Sequence, residues 1–287
     1  PLLVGRPGHI EATMKAIGLG DIAPFEVHNS ELNDDTERYV ELLYARRQRR
    51  GALKRDCQRW VNQDRNVFAA CMVACGDADG MVTGLTRSYW GSLEKVLRVL
   101  DPKPGHRLFG LSMLLAHDKT VLIADTTVNE TPSPEELADI AIQSAAKARV
   151  LGHEPRVALL SHSNFGSSHT DSARKMRRAY KKVRDMAPHL AVDGEMHADA
   201  ALSQALRERL IPDSRFEGSA NLLVMPNLDA ANITLTALSA SSSSPTVGPM
   251  LMGLSKPIHV LTPGVTSRGI LNLTAIAAAE VAREGVA

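Results

Sequence analysis

The sequence reads as an α/β protein, and two observations carry that reading. In the second half, short apolar runs alternate with longer stretches of helical periodicity, starting at Val157-Ala-Leu-Leu160. Alternation of this kind specifies a parallel sheet with helices on both faces. The second observation is a transition within Val157-Ala-Leu-Leu-Ser-His-Ser-Asn-Phe-Gly-Ser-Ser168. It begins as a buried strand and becomes a turn of small hydroxyl residues around Gly166. Ala173, Met176, Tyr180 and Val183 then recur at helical spacing. Strand, small-residue turn and helix together aim N–H groups and hydroxyls at an anion, so a phosphate or carboxylate is expected there.

The first half is mixed. Leu2–Val4 is a short strand and His9–Leu19 a helix ended by Gly20. Asp34 with Glu37 resembles a capping box for a helix through Arg50. Lys54–Cys75 reads as one long helix closed by Gly76. Met81–Thr83 is a small buried strand, and Tyr89, Leu93, Val96, Leu97 and Leu100 mark a helix. Leu108–Leu115 and Thr120–Asp125 flank a turn at His117-Asp118, as in a hairpin. From there the alternation is regular. Ser133, Pro134 and Glu136 start a helix to about Val150. Strands at 157–160, 190–192, 222–225 and 258–261 interleave with helices at 171–186, 198–209, 229–239 and 270–283. Ser239–Pro245 reads as a mobile loop, and no internal repeat is evident.

Parallel sheets bind ligands at the carboxyl ends of their strands. Those ends are Ser161-His-Ser163, Asp193-Gly-Glu195, Pro226-Asn227 and Thr262-Pro-Gly264, all polar or small. Loops are polar anyway, but the agreement of several strand ends favours a ligand crevice.

Bulk properties bound the function. A chain of 287 residues with 44% hydrophobic content makes one large or two ordinary domains. A net charge of +1 gives no global field for nucleic acid. No apolar run approaches a membrane span and no signal peptide is visible. Three cysteines cannot all pair, which fits a reducing cytoplasm. Cys71 and Cys75, one helical turn apart, read as buried structural thiols rather than half a metal site. The chain opens at Pro1 without Met and reads as a piece of a longer polypeptide.

Several motifs weaken on inspection. Gly76-Asp77-Ala-Asp79-Gly80 starts like a calcium loop, but the acid required at its twelfth position falls on Ser88. Arg46-Arg47-Gln-Arg49-Arg50 reads as a solvated helix end, with no aromatic residue interleaved to stack on bases. The helix after the turn carries Arg174, Lys175, Arg177, Arg178, Lys181, Lys182 and Arg184, a face open to solvent, to nucleotide phosphates or to an acidic partner. Ser161, His162 and Asp193 invite a hydrolase triad, yet adjacent residues of a strand point to opposite sides and the Gly-x-Ser-x-Gly pattern is absent. No Gly-x-Gly-x-x-Gly or Walker pattern occurs.

In combination these segments resemble the phosphotransacetylase family. The resemblance rests on Gly76-Asp-Ala-Asp-Gly-Met-Val-Thr-Gly84, Asp125-Thr-Thr-Val-Asn129, Leu160-Ser-His-Ser-Asn-Phe-Gly-Ser167 and Asp193-Gly-Glu195 with Asp199-Ala200. It continues through Ala220-Asn-Leu-Leu-Val-Met-Pro-Asn-Leu228, Gly248-Pro-Met-Leu-Met-Gly-Leu-Ser-Lys-Pro257 and Asn272-Leu-Thr-Ala-Ile276, covering nearly the whole chain in order. Leu3-Val-Gly-Arg-Pro7, Tyr44-Ala-Arg-Arg47 and the Ser-Asn-Phe-Gly-Ser turn are similar to the branch that forms the C-terminal region of bacterial NADP-dependent malic enzymes.

The resemblance implies a three-layer α/β/α fold of the isocitrate/isopropylmalate dehydrogenase kind, with two subdomains and a ligand cleft between them. Subdomain I would hold 1–132 with about 251–287, and subdomain II 133–250. It also implies transfer of acetyl between coenzyme A and phosphate, which needs a base for the thiol and a cation for the phosphate. Active members carry Ser-Arg-Gly-x-Ser-x-x-Asp after the last strand. Pro257, Leu261 and Asn272-Leu273 fix the register, so the Ser falls on Thr262, the Arg on Pro263 and the Asp on Gly269. Thr266 keeps a hydroxyl and Arg268 supplies a cation at a different offset. The expectation is a catalytically silent domain that binds acetyl-CoA and regulates an attached malic enzyme. Expected ligand residues are Ser161, Ser163, Asn164, Gly166, Ser167, Asn227, Thr262, Gly264, Thr266 and Arg268. No cofactor or metal is expected in this domain, NADP and a divalent metal belonging to the malic enzyme region. Homo-oligomerisation and a cytoplasmic location are expected; nucleic acid and membrane are not. The alternatives are an active phosphate acetyltransferase and a ligand-free oligomerisation domain.

Overall fold

A computed structural model describes residues 1–19, 25–30, 35–116 and 119–284. Gly20, Asp34 and the His117-Asp118 turn, to which the sequence assigns a helix end, a cap and a hairpin, lie outside the described residues. The chain divides into two units. The first comprises Pro1–Asp101, Ser255–Val265 and Thr274–Ala287, and the second Pro102–Leu254 and Thr266–Leu273. The first stretch therefore stops at Asp101, not at 132, because the strands between those positions join the sheet of the second unit.

In the first unit β1 (Leu2–Val4), α1 (Pro7–Ala16), β2 (Glu26–His28) and α2 (Thr36–Arg47) come first, α2 ending in a 3-10 turn through Arg50. The helix expected over 54–75 is two helices, α3 (Lys54–Gln63) and α4 (Arg65–Cys75). They part at Asp64, whose extended backbone lets its carboxylate accept the Asn66 N–H and cap α4. Gly76 ends α4 at φ 85°, a conformation only glycine adopts without strain. Next come β3 (Met81–Gly84) and α5 (Tyr89–Leu97).

The second unit holds β4 (Phe109–Leu115), β5 (Thr120–Ala124), α6 (Pro134–Val150), β6 (Arg156–Leu160), α7 (Asp171–Met186) and β7 (Ala191–Met196). Then follow α8 (Ala198–Leu202), α9 (Gln204–Leu210), β8 (Leu222–Val224), α10 (Leu228–Ser242) and β9 (Thr246–Met252). The strands form a six-stranded sheet in the order β7-β6-β8-β5-β4-β9. β7, β6, β8 and β5 are parallel, while β4 is antiparallel to both β5 and β9. The sheet is thus mixed rather than purely parallel. The chain steps from β5 to β6 to β7 in one direction and returns through β8 to β9. Right-handed crossovers then place α6 and α7 on one face and the later helices on the other. Alternate strand residues follow suit: Val121, Ile123, Ala158, Leu160 and Leu223 pack with Ala200, Ala201 and Ala231. Leu122, Val157, Leu159 and Val224, on the other face, are equally inaccessible.

Two strands and one helical extent escape the sequence reading. β2 is short and carries Glu26 and His28. β9 contains Pro249, which lacks an N–H and is tolerated because β9 lies at the sheet edge. α10 extends into the serine stretch to Ser242, where the Ser242 hydroxyl donates back to Leu238 O at 2.5 Å. The expected helix 198–209 is interrupted at Ser203, whose hydroxyl caps α9 by accepting the Leu206 N–H. The chain closes with β10 (Ile258–Leu261) and α11 (Ser267–Glu284). β10 lies in the first unit, where it pairs in parallel with β3.

Candidate functional site

The turn after β6 has an unexpected occupant. Phe165 and Gly166 take positive φ angles of 45° and 94°, and Phe165 packs onto the core beneath. Their successive N–H groups converge on one residue: Phe165 N donates to Glu195 O at 2.8 Å and Gly166 N to Glu195 Oε1 at 3.0 Å. Ser163 Oγ donates to the same Oε1 at 2.7 Å. Arg177, from α7, brings its Nε to 3.7 Å of Oε2 and donates to Ser168 O at 2.7 Å. Glu195 is fully buried. The turn is an anion cradle, as its composition suggests, but its anion is a carboxylate of this chain.

The side-chain oxygens of the turn are engaged within it as acceptors. Ser163 Oγ accepts from Ser168 N, Ser167 Oγ accepts from Asn164 N, and Asn164 Oδ1 accepts from His197 N. Ser161 differs, its Oγ being buried without a hydrogen-bond partner. Asn227 caps α10 by accepting the Ala230 N–H, and Lys175 of α7 donates to Pro226 O at 2.6 Å beside it. Ser161, Ser163, Asn164, Gly166, Ser167 and Asn227 all lie at carboxyl ends of second-unit strands. Thr262 and Gly264 belong to the first unit, in the turn closed by Val265 N donating to Thr262 O. Thr266 opens α11: its hydroxyl accepts the Gly269 N–H at 3.1 Å and its carbonyl the Ile270 N–H. Arg268 is exposed on that first turn.

The Ser161–His162–Asp193 triad does not assemble among the described residues. His162 Nε2 lies 3.1 Å from Thr170 Oγ1, while Asp193 accepts from Gly194 N and Arg215 N. Burial, partly offset by those N–H groups and by Arg207 and Arg215, raises the Asp193 carboxyl above its ordinary value. The calcium-like loop is also spoken for, since Asp77 accepts from Arg38 and from the Tyr39 hydroxyl at 2.7 Å. Among the described residues no His, Cys, Asp or Glu cluster is arranged to hold a metal. The basic face of α7 is largely tied down, through Arg174 to Asp171, Lys182 to Glu135, and Lys175 and Arg177 as above.

A second internal anion went unrecognised in the sequence. Asp125, at the end of β5, takes N–H groups from Gly110, Thr127 and Val128 on Oδ1, and the Asn129 N–H and side-chain amide on Oδ2. The signal was available in Asp125-Thr-Thr-Val-Asn129, an acid followed at once by a tight polar turn. Asp125 and Glu195 serve the same purpose, each shaping the loop at a strand's carboxyl end around a buried charge.

A mixed sheet covered on both faces, with polar turns at its parallel strand ends, places the second unit in the α/β class, in which ligands sit at such strand ends. The chain belongs to the phosphate acetyl/butaryl transferase family, whose sequence model matches residues 1–278. It is 44% identical over 96% of its length to an NADP-dependent malic enzyme of Rhizobium meliloti, of which it covers 36%. It therefore spans little more than a third of that relative. A phosphate acetyltransferase of Bacillus subtilis is 32% identical over 98% of this chain and 86% of its own. A crystal structure of a phosphotransacetylase from Streptococcus pyogenes superposes with a TM-score of 0.90 at 28% identity, covering 98% of this chain and 85% of that one. No described helix is long and apolar enough to cross a membrane.

Proposed function

We propose that this chain is a regulatory, acetyl-CoA-binding region of a malic enzyme and is itself silent in acetyl transfer. Family membership supports the ligand class, and the short share of the malic enzyme relative that it spans supports the context. The observation that carries the silence is the loop between β10 and α11. Pro263 and Gly269 stand where the family resemblance calls for a cation and an acid, the Thr266 hydroxyl is engaged as a helix cap, and Arg268 is exposed. Proline cannot neutralise phosphate and glycine cannot take a proton from a thiol. In this reading acetyl-CoA acts as an effector with unequal affinity for two states of a cytoplasmic homo-oligomer. NADP and a divalent metal serve the malic enzyme region, outside this chain.

Calorimetry of the intact polypeptide with acetyl-CoA tests the reading, followed by malate oxidation with and without the effector. Saturable heat and a shifted rate are expected; no binding at millimolar acetyl-CoA leaves a scaffold. The likeness to the Bacillus phosphate acetyltransferase favours a second reading, an active transferase. Phosphate-dependent thiol release from acetyl-CoA would establish it and exclude the silent one.

A further inference from the structure

The first unit holds two short sheets with a gap between them. Among the described residues β1 pairs only with β2, and β3 only with β10, each pair in parallel. Between the pairs lies a slot of about 380 Å³. All of Leu2–Val4 lines one side and all of Met81–Gly84 the other, and Ala69, Met72 and Val73 of α4 add an apolar border. Both strand edges have unspent main-chain groups. Along a parallel ladder, alternate residues turn their N–H and C=O toward the partner strand and the rest turn away. Gly5 N donates to His28 O, which sets Leu3 toward β2 and turns Leu2 and Val4 away from it. Met81 N donates to Pro257 O, which sets Thr83 toward β10 and turns Val82 and Gly84 away. The Gly84 carbonyl is taken by Thr86 N, which leaves Leu2, Val4 and Val82 to offer backbone groups at the slot.

The residues of these edges are those of interior strands. A true edge is blunted by charge, proline or a bulge. β2, on the far side of β1, carries Glu26 and His28. β1 (Leu-Leu-Val) and β3 (Met-Val-Thr-Gly) carry neither charge nor proline, and all but Met81 are left half-buried. Apolar runs of this kind belong to parallel strands covered on every side. A slot walled by two such edges fits an extended main chain, which can bond to both. The relatives indicate where that chain comes from. This chain covers 86% of the Bacillus phosphate acetyltransferase and 85% of the Streptococcus phosphotransacetylase, so about a seventh of each lies beyond it.

We propose that an apolar strand from the polypeptide preceding Pro1 enters this slot, pairs with β1 on one side and β3 on the other, and joins the two sheets into one parallel sheet. A strand that precedes β1 in the chain and runs parallel beside it needs a crossover of about a dozen residues or more, so a helix follows it before Pro1. A seventh of such a relative has room for this strand and helix, about 30 residues. The inference shares with the regulatory reading only the premise of a longer polypeptide, and acetyl-CoA binding plays no part in it.

The test is a structure of the intact polypeptide by electron cryomicroscopy, together with hydrogen exchange in solution. Backbone from the segment before Pro1 is expected between β1 and β3. Peptides covering 2–5 and 81–84 should exchange about a hundredfold or more slowly than an unpaired strand edge. Replacing the apolar run before Pro1 by a glycine–serine linker of equal length should abolish that protection, while β6 and β8 of the second unit keep theirs. An empty slot, a slot filled by a second copy or by a segment that follows Ala287, or protection that survives the linker would each overturn the proposal. A filled slot in a polypeptide that does not bind acetyl-CoA would uphold it and sink the regulatory reading alone.

Discussion

Replacing Arg207 with Met should unfasten the loop that follows α9. Arg207 is fully buried, and its five N–H groups have five matching acceptors. Nε donates to Ser214 Oγ, Nη1 to Ala200 O and Ala201 O, and Nη2 to Phe216 O and Gly218 O, over distances of 2.6–3.3 Å. The guanidinium also stacks on Phe216 at 4.2 Å. Methionine fills much of the volume and offers no donor. Ala201 O keeps the Ala220 N–H and Phe216 O keeps the Ser214 hydroxyl, so Ala200 O and Gly218 O bear the loss. Two carbonyls stripped of their donor, one buried at Ala200 and one part-buried at Gly218, at about 1–3 kcal/mol each set the scale. Against this, the variant no longer desolvates a cation, a relief that brings the expected loss to about 3 kcal/mol. Arg207→Lys should fall between, because three donors on one nitrogen cannot reproduce a planar fork. Urea denaturation measures the loss, and limited proteolysis at 211–219 locates it. A Met variant within about 1 kcal/mol of wild type would refute the argument. A Lys variant as stable as wild type would show that charge, not geometry, holds the loop.

The other expectations are shorter. Glu195→Ala strands the Gly166 N–H and the buried Ser163 hydroxyl, for a loss of about 2–5 kcal/mol in denaturant unfolding, whereas Glu195→Gln retains an acceptor and loses less. Asp77 and Asp193 should give opposite pH signatures. Hydrogen bonds from Arg38 and then Tyr39 hold the Asp77 carboxyl below its ordinary value, so its stabilisation is present at neutral pH and disappears as pH falls below about 4. Burial raises Asp193, so its contribution is most favourable in acid and declines as pH climbs above about 4. Comparing each Asp→Asn variant with wild type across that range reads both slopes, and equal slopes would contradict the assigned causes. Burial also pushes up the thiols of Cys71, Cys57 and Cys75, so the native protein should react slowly with a disulfide reagent. Cys75, the least buried, should go first, and rapid labelling of Cys71 would contradict the packing of α4.

Much of the fold was legible because it rests on patterns that local chemistry writes into the chain. The capping box at Ser133 and Glu136 forms as read, with Ser133 N donating to Glu136 Oε2 at 2.7 Å and Glu136 N to Ser133 Oγ at 3.2 Å. α7 runs over the expected residues because Ala173, Met176, Ala179 and Val183 make one apolar stripe. What stayed hidden depends on partners far along the chain. The break at Asp64 is helped by Arg87, 2.6 Å from its carboxylate and absent from any local window. β9 is concealed by Pro249, acceptable only at an edge that the sequence does not announce.

The turn Ser161–Ser168 shows where reading composition stops and reading partners begins. Glycine, serine and a strand–helix junction correctly indicated an anion. They could not say that the anion is supplied thirty-odd residues later by Glu195, already bonded to Ser163 and Gly166. A pre-filled cradle changes the chemistry left to a ligand. Backbone N–H groups that already hold a buried carboxylate cannot also hold a phosphate without releasing it, and release would leave Glu195 to Arg177, 3.7 Å away. In the proposed reading, a ligand at this strand end meets neutral polar groups, the half-buried Asn164 amide and the exposed Ser167 hydroxyl, which suit the amide and hydroxyl portion of an acyl-CoA better than its phosphates. On that proposal, Ser167→Ala should weaken acetyl-CoA by about threefold to tenfold, the worth of one neutral hydrogen bond, with no change in salt dependence. A loss that grew at low salt would mean that the turn does hold phosphate and that Glu195 yields its place.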